Sequence, residues 1–257
     1  MAPRLTITIL TLFPHMLEGF FTSSIMRRAV EKGTIAYKLI DFRSWATDKH
    51  KSVDDLPYGG GAGMVLMYDP LSKALDELGT AGKRVVYPSP SGVLLNQKLA
   101  HELSEERELI FICGHYEGVD QRIIDEYVDD EISIGDYVIT SGEVATMVIV
   151  DSVFRLIDGV ISRKSLDEES FSDGLLEYPQ YTRSEPSCPK EVPHVLLSGH
   201  HEKIESWRLK QKLLRTMERR IDLLETASLD AVSRKQVNEL KEHMAKGIVD
   251  NGRDESC

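Results

Sequence analysis

Four of the seven residues at 58–64 (YGGGAGM) are glycines, and none of the seven carries a charge. Glycine weakens ordinary helices and strands, so such a cluster is kept where backbone takes positive φ or lies against another group. Two more glycine-marked segments follow, 113–120 (CGHYEGVD) and 134–143 (IGDYVITSGE), each after a run with strand character. Any one of them is explained equally well as a tight turn. Three at strand ends together predict one ligand pocket built largely from backbone. It is not a phosphate loop of the common kinds. Met64 stands where GxGxxG needs its last glycine, and GxxxxGK[ST] occurs nowhere.

Two other constellations could do chemistry. His200 and His201 (SGHHE) look like a metal pair, but neighbouring side chains on a helix point about 100° apart and no third ligand accompanies them. A structural or RNA-contacting role is expected there, and no metal site. Arg208, Lys212, Arg215 and Arg219 fall at i, i+4, i+7 and i+11, one stripe of a helix with Trp207, Leu214, Met217 and Ile221 opposite. A helix buried through its apolar side would offer that stripe to phosphate. A solvated face with ion pairs explains the same spacing, although only Glu205 and Glu218 oppose the cations between 203 and 220. Trp45 and Trp207 are expected to be packing residues, with stacking on an exposed base as the alternative.

The elements that must position these residues alternate in type. Strands are expected at 4–10, 34–41, 84–87 and 109–113, with helices at 24–32, 69–78, 96–103 and 119–127. Asp69-Pro70 serves as a cap followed by a first-turn proline. Leu5, Ile7 and Ile9 alternate with Thr6 and Thr8 at strand period, so the N-terminal run reads as a first strand rather than a signal peptide. Short β-branched strands alternating with helices predict an α/β fold with a largely parallel sheet. Val144, Met147, Val148, Phe154 and Ile157 recur at helical spacing, giving a last core helix over 142–157 with Arg155 near its end. The stretch 162–174 (SRKSLDEESFSDG) lacks a core-forming period and is expected to be a flexible linker. A crossing marked by Pro179, Pro186, Pro189 and Pro193 leads from it to a helical C-terminal region.

At 257 residues, one large domain with a smaller appendage is the natural expectation, and 41% hydrophobic residues suffice for a core. A net charge of −11 argues against chain-wide attraction to nucleic acid and leaves only a local basic surface. Cys113, Cys188 and Cys257 are odd in number, far apart and in no metal-ligand spacing, which predicts a reduced cytoplasmic protein without structural zinc. No run approaches the roughly 20 apolar residues of a membrane helix.

In that order and spacing, YGGGAGM, CGHYEGVD, SIGDYVITSGE, FSDGLLEYPQYTR and LLSGHHEKIESWRLKQ resemble the bacterial tRNA (guanine-N1)-methyltransferases of the SPOUT superfamily. The similarity covers nearly the whole chain, and five ordered segments are far more specific than any one glycine loop. It implies a knotted methyltransferase domain over 1–160 with a deep trefoil knot, a flexible linker over 161–175 carrying the catalytic base, and a mainly helical tRNA-binding domain over 176–257. Strand and helix counting would never suggest a knot. The implied cofactor is S-adenosylmethionine, held in the knotted loops by Tyr87, Ser89 and Pro90, by Gly114, Tyr116 and Gly118, and by Ile134, Gly135, Asp136, Tyr137, Val138, Ile139 and Gly142.

The resemblance also implies a homodimer with shared active sites and, as substrate, the guanosine just 3′ of the tRNA anticodon. Guanine N1 is protonated, so a base must face it as the methyl group arrives. Asp173 matches the family's base, on a loop ordered by tRNA; a helix N-cap or turn aspartate is the plain alternative. Arg155 matches the residue that stabilises charge growing on O6; a helix C-terminal charge paired with Asp151 is its alternative. Glu117 corresponds to a substrate-side carboxylate able to recruit Mg2+, or to a solvated loop glutamate. Arg208, Lys212, Arg215 and Arg219 become the tRNA contacts. Two positions depart from the pattern: His115 stands where arginine is common and Ser141 where glycine is common. The first puts a pH-sensitive group among the contacts, and the second limits backbone freedom. A ribose 2′-O-methyltransferase of the same superfamily and a non-enzymatic RNA-binding module remain the alternatives.

Overall fold

The computed structural model describes residues 2–183 and 192–245, so Cys188, Cys257, Pro186 and Pro189 lie outside the described residues. The chain divides into two compact units, Met1–Ser162 and Arg163–Cys257.

The first unit is built on a five-stranded sheet. In chain order its strands are β1 (Leu5–Thr11), β2 (Ile35–Asp41), β5 (Arg84–Leu94), β6 (Glu108–Ile112) and β7 (Asp130–Ser133), arranged β2-β1-β6-β5-β7. Every pairing in it is parallel. A short antiparallel ladder, β3 (Asp54–Asp55) with β4 (Val65–Leu66), stands apart from it. Helices α1 (Pro14–Phe21), α2 (Ser24–Glu31), α4 (Gln97–Ser104) and α6 (Gly142–Phe154) bury Leu17, Phe21, Ala29, Leu103 and Val153 against Leu5, Ile7, Ile9 and Phe111. On the other face α3 (Tyr68–Leu78) and α5 (Gln121–Tyr127) bury Leu71, Leu75 and Ile123 against Leu10, Val85 and Ile110. Coverage of both faces explains why β1 is buried almost throughout instead of alternating. Truncating a ring such as that of Phe111, wholly buried, would cost about 3–5 kcal/mol.

Three local expectations are corrected. Strand β5 continues beyond 87 to Leu94 through Pro88 and Pro90, because its pairing with β7 shifts register between Pro88 and Val93, and a bulge spares the proline nitrogens from donating. Asp69 does not cap α3: Met67 is the N-cap without a side-chain bond, and Pro70 sits in the first turn, whose N–H groups have no partner within the helix. Helix α1 was not expected, and it forms with Pro14 at its first position.

The second unit holds α7 (Arg163–Asp167), α8 (His194–Leu197), α9 (His201–Arg219), α10 (Ile221–Thr226) and α11 (Ala231–Ala245). Its core gathers Leu175, Leu213, Leu214, Met217, Val237 and Leu240. The segment expected to be a structureless linker therefore contains a helix and contributes Leu175 to a core. Its polar composition hid one well-placed leucine. No helix among the described residues is long and apolar enough to cross a membrane.

Candidate functional site

Residues 87–90 of β5, where its pairing with β7 shifts register, and the loops after the carboxyl ends of the neighbouring β6 and β7 line a cavity of about 300 Å³. The edge beyond the carboxyl ends of parallel strands is where open α/β sheets bind ligands. Tyr87, Ser89, Pro90, Gly114, Tyr116, Gly118, Ile134, Gly135, Tyr137, Val138, Ile139 and Gly142 all line it, together with Glu117, His115 and Ser141. Asp136 is exposed and does not line it. Of the residues assigned to the cofactor from sequence, Asp136 alone is not brought to the cavity.

Close approach of backbone explains the glycines. A Cβ on Gly142 would lie 2.5 Å from the Gly114 nitrogen and 2.9 Å from the Cys113 Cα, and the Gly142 N–H donates to the Gly114 carbonyl at 2.9 Å. Backbone atoms cannot step aside as a flexible side chain can. Gly63, at φ +84°, lies so close to the Glu117 side chain that a Cβ would strike it, which ties the YGGGAGM loop to the cavity wall.

A buried polar network supports that wall. Glu143, in the first turn of α6 and fully buried, accepts from the Thr11 hydroxyl at 2.5 Å and meets His115 Nε2 at 2.6 Å. A carboxylate at a helix N-terminus is favourably placed. Burial, and then the charge of Glu143, pushes the Cys113 thiol far above its ordinary range, against a 3.3 Å contact with the Thr146 hydroxyl that lowers it. Cys113 is therefore an inert packing residue. Neither Thr11 nor Glu143 was singled out from sequence. A glutamate opening a mostly apolar helix was the available signal.

Among the described lining residues there is no lysine or arginine. A triphosphate or pyrophosphate would lack cations here, whereas a phosphate-free nucleoside bearing a positive centre fits a wall with Glu117 in it. The Ser141 hydroxyl, buried and without a hydrogen-bond partner, offers a polar contact still to be made. The cavity lies at the small end of the range of ligand sites. Close-packed backbone, tyrosines and an unpaired hydroxyl fit S-adenosylmethionine.

Arg155 is the C-cap of α6. Its charge lowers the pKa of Asp151, although burial dominates and raises it overall. In the second unit, Asp173 accepts from the Leu175 N–H at 3.1 Å and is ion-paired with Lys212. The cationic stripe is not the open face expected. Segment 173–178 runs across it, with Tyr178 under the Arg208 guanidinium at 4.7 Å and the Leu176 N–H donating to Thr216 Oγ1 at 2.9 Å. Arg208, Lys212 and Arg215 are consequently half-buried, and Arg219 is exposed. Ile221, expected on the buried side, belongs to α10 and is 57% exposed. His200 and His201 are exposed at the start of α9, and no cluster of three or more metal-ligating side chains occurs among the described residues.

Comparison with known proteins shows the family. The family profile described as tRNA (Guanine-1)-methyltransferase TrmD matches residues 5–226. A tRNA (guanine-N(1)-)-methyltransferase of Treponema denticola is 61% identical over 219 residues, 85% of this chain and 90% of that protein. Proteins of the same name from Borrelia turicatae and Treponema pallidum are 56% and 52% identical, covering 84% and 88% of this chain and 92% and 91% of their own. With the profile spanning most of its length and relatives this similar, the chain belongs to the TrmD family of tRNA (guanine-1)-methyltransferases.

Proposed function

We propose that this protein transfers a methyl group from S-adenosylmethionine to N1 of the guanosine 3′ of the tRNA anticodon, G37. One structural observation carries the cofactor half: a cavity at the strand ends that is walled by tight backbone and free of lysine and arginine among its described lining residues. The bound cofactor supplies an electrophilic methyl group on a sulfonium. Tyr87, Gly114, Gly135 and Gly142 would hold it through backbone and ring contacts, and Ser141 through its hydroxyl.

The protein's remaining work is proton and charge management. For N1 to take up that methyl group, its proton would have to leave. Asp173 takes that proton, and Arg155 stabilises the negative charge that grows on O6. An ordinary aspartate is a weak base, so closeness and exclusion of water must supply much of the effect. Glu117 faces the substrate from the cavity wall. Its carboxylate would hold Mg2+, which would supply positive charge beside the substrate.

The finer architecture belongs to the same proposal. A trefoil knot over the cofactor loops follows from family membership. A homodimer with sites shared between subunits, a tRNA-binding second unit and residence in the cytoplasm follow from family membership. Mass spectrometry of an unmodified tRNA transcript after incubation with the protein and isotope-labelled cofactor tests the reaction. A labelled N1-methylguanosine next to the anticodon is expected. A labelled ribose 2′-hydroxyl, or no label, overturns it.

A further inference from the structure

Within the stripe on α9, Lys212 is the cation paired with Asp173. The Lys212 ammonium is ion-paired with Asp173 Oδ2, and only 12% of the Lys212 side chain is exposed, against 47% for Asp173. Asp173 Oδ1 is held separately by the Leu175 N–H. The chain on either side is fixed to the same helix: Leu175 is buried against Leu213, and Thr216 Oγ1, which donates to the Lys212 carbonyl at 2.7 Å, accepts from the Leu176 N–H. Gly174, at φ +81°, lets the turn pass Ala227 closely enough for this seating.

We infer that Lys212 is the positioning residue of Asp173 rather than a phosphate contact. A carboxylate has about four lone-pair sites on its two oxygens. One donor on each oxygen therefore orients the group and leaves lone pairs to receive a proton. Lys212 is also a poor phosphate ligand, because reaching a phosphate would break its pair with Asp173 and draw out a side chain that is only 12% exposed. The inference rests on Asp173 being the base proposed above.

Two substitutions separate the roles. Lys212→Met keeps the packed stem and leaves Asp173, half exposed, to water. Asp173→Asn removes the charge but keeps an oxygen acceptor, so the ammonium retains a hydrogen-bond partner. The readouts are the single-turnover methyl-transfer rate at saturating tRNA and cofactor, and the tRNA dissociation constant in the same buffer. Lys212→Met should slow the saturated rate at least about tenfold with tRNA affinity within about twofold, and Lys212→Arg should recover most of the loss. In the Asp173→Asn background, Lys212→Met should cost nothing further, because Lys212 acts only through the carboxylate. Weakened tRNA binding with an unchanged saturated rate, or no change in either, overturns the inference alone. A fully active Asp173→Asn overturns the base assignment, and the inference with it.

Discussion

His115, part of the cavity wall, meets the buried carboxylate of Glu143 at 2.6 Å, joining the loop after β6 to the first turn of α6. Phe13 N–H donates to Thr11 Oγ1 at 2.8 Å and the Thr11 hydroxyl donates onward to Glu143, so the end of β1 enters the same network. Three chain segments that are distant in sequence thus converge on one side chain. Each half of the pair depends on the other, since a buried carboxylate without its donors bears the full cost of desolvation.

Glu143→Ala should therefore be among the more destabilising single changes in the first unit, by about 3 kcal/mol, because it strands the Thr11 hydroxyl and the imidazole together. Glu143→Gln should cost about 1 kcal/mol. Its amide oxygen can still accept from Thr11 and its NH2 can donate to a neutral imidazole. Urea denaturation of both variants, compared at equal slope, provides the check. Equal losses would mean that volume rather than hydrogen bonding holds the wall.

The glycine loops were legible because their constraints leave a mark in composition: Gly142 is a glycine for want of room against backbone, and Gly63 for its φ of +84°. The sheet was legible for a similar reason, since apolar β-branched runs bounded by turn residues announce buried parallel strands. Strand β5 was cut short at 87 because Pro88 and Pro90 signal an ending, and the bulge that admits them depends on β7, more than 35 residues later. Glu143 was missed because its partners, Thr11 and His115, lie in two other segments. The half-burial of the cationic stripe was illegible in principle. The helix alone dictates an exposed face, and only the folding of 173–178 across it buries Arg208 and Lys212.

That covering makes the stripe heterogeneous toward RNA. Arg219 is exposed at the end of α9, so Arg219→Ala should weaken tRNA binding and lower the slope of log affinity against log salt by about 1, the loss of one phosphate contact. Arg208 stacks on Tyr178 and pairs with Glu205 at 3.0 Å. Arg208→Ala should instead destabilise the second unit by about 1 kcal/mol through lost stacking and packing. Filter binding across a salt series and thermal unfolding distinguish the two. An unchanged slope for Arg219→Ala would make that residue a solvated end of the helix and nothing more.

The proposed sharing of each site between two subunits makes a sharper demand. Gly142→Ala places a Cβ against the Gly114 and Cys113 backbone and should abolish cofactor binding, while Asp173→Asn removes the base and should leave cofactor binding intact. Each homodimer is then inactive for a different reason. Random subunit exchange makes about half of the dimers mixed. In a mixed dimer one of the two sites pairs an intact cofactor loop with an intact Asp173 from the other chain, so activity should return to about a quarter of the wild-type value. A site completed within one chain gives no return, because every chain in the mixture carries a lesion in its own site. The two variants, purified separately, shown by calorimetry to bind or not bind the cofactor, and mixed under conditions verified to exchange subunits, provide the measurement. Persistent inactivity would reject the two-chain site while leaving the methyltransferase assignment standing.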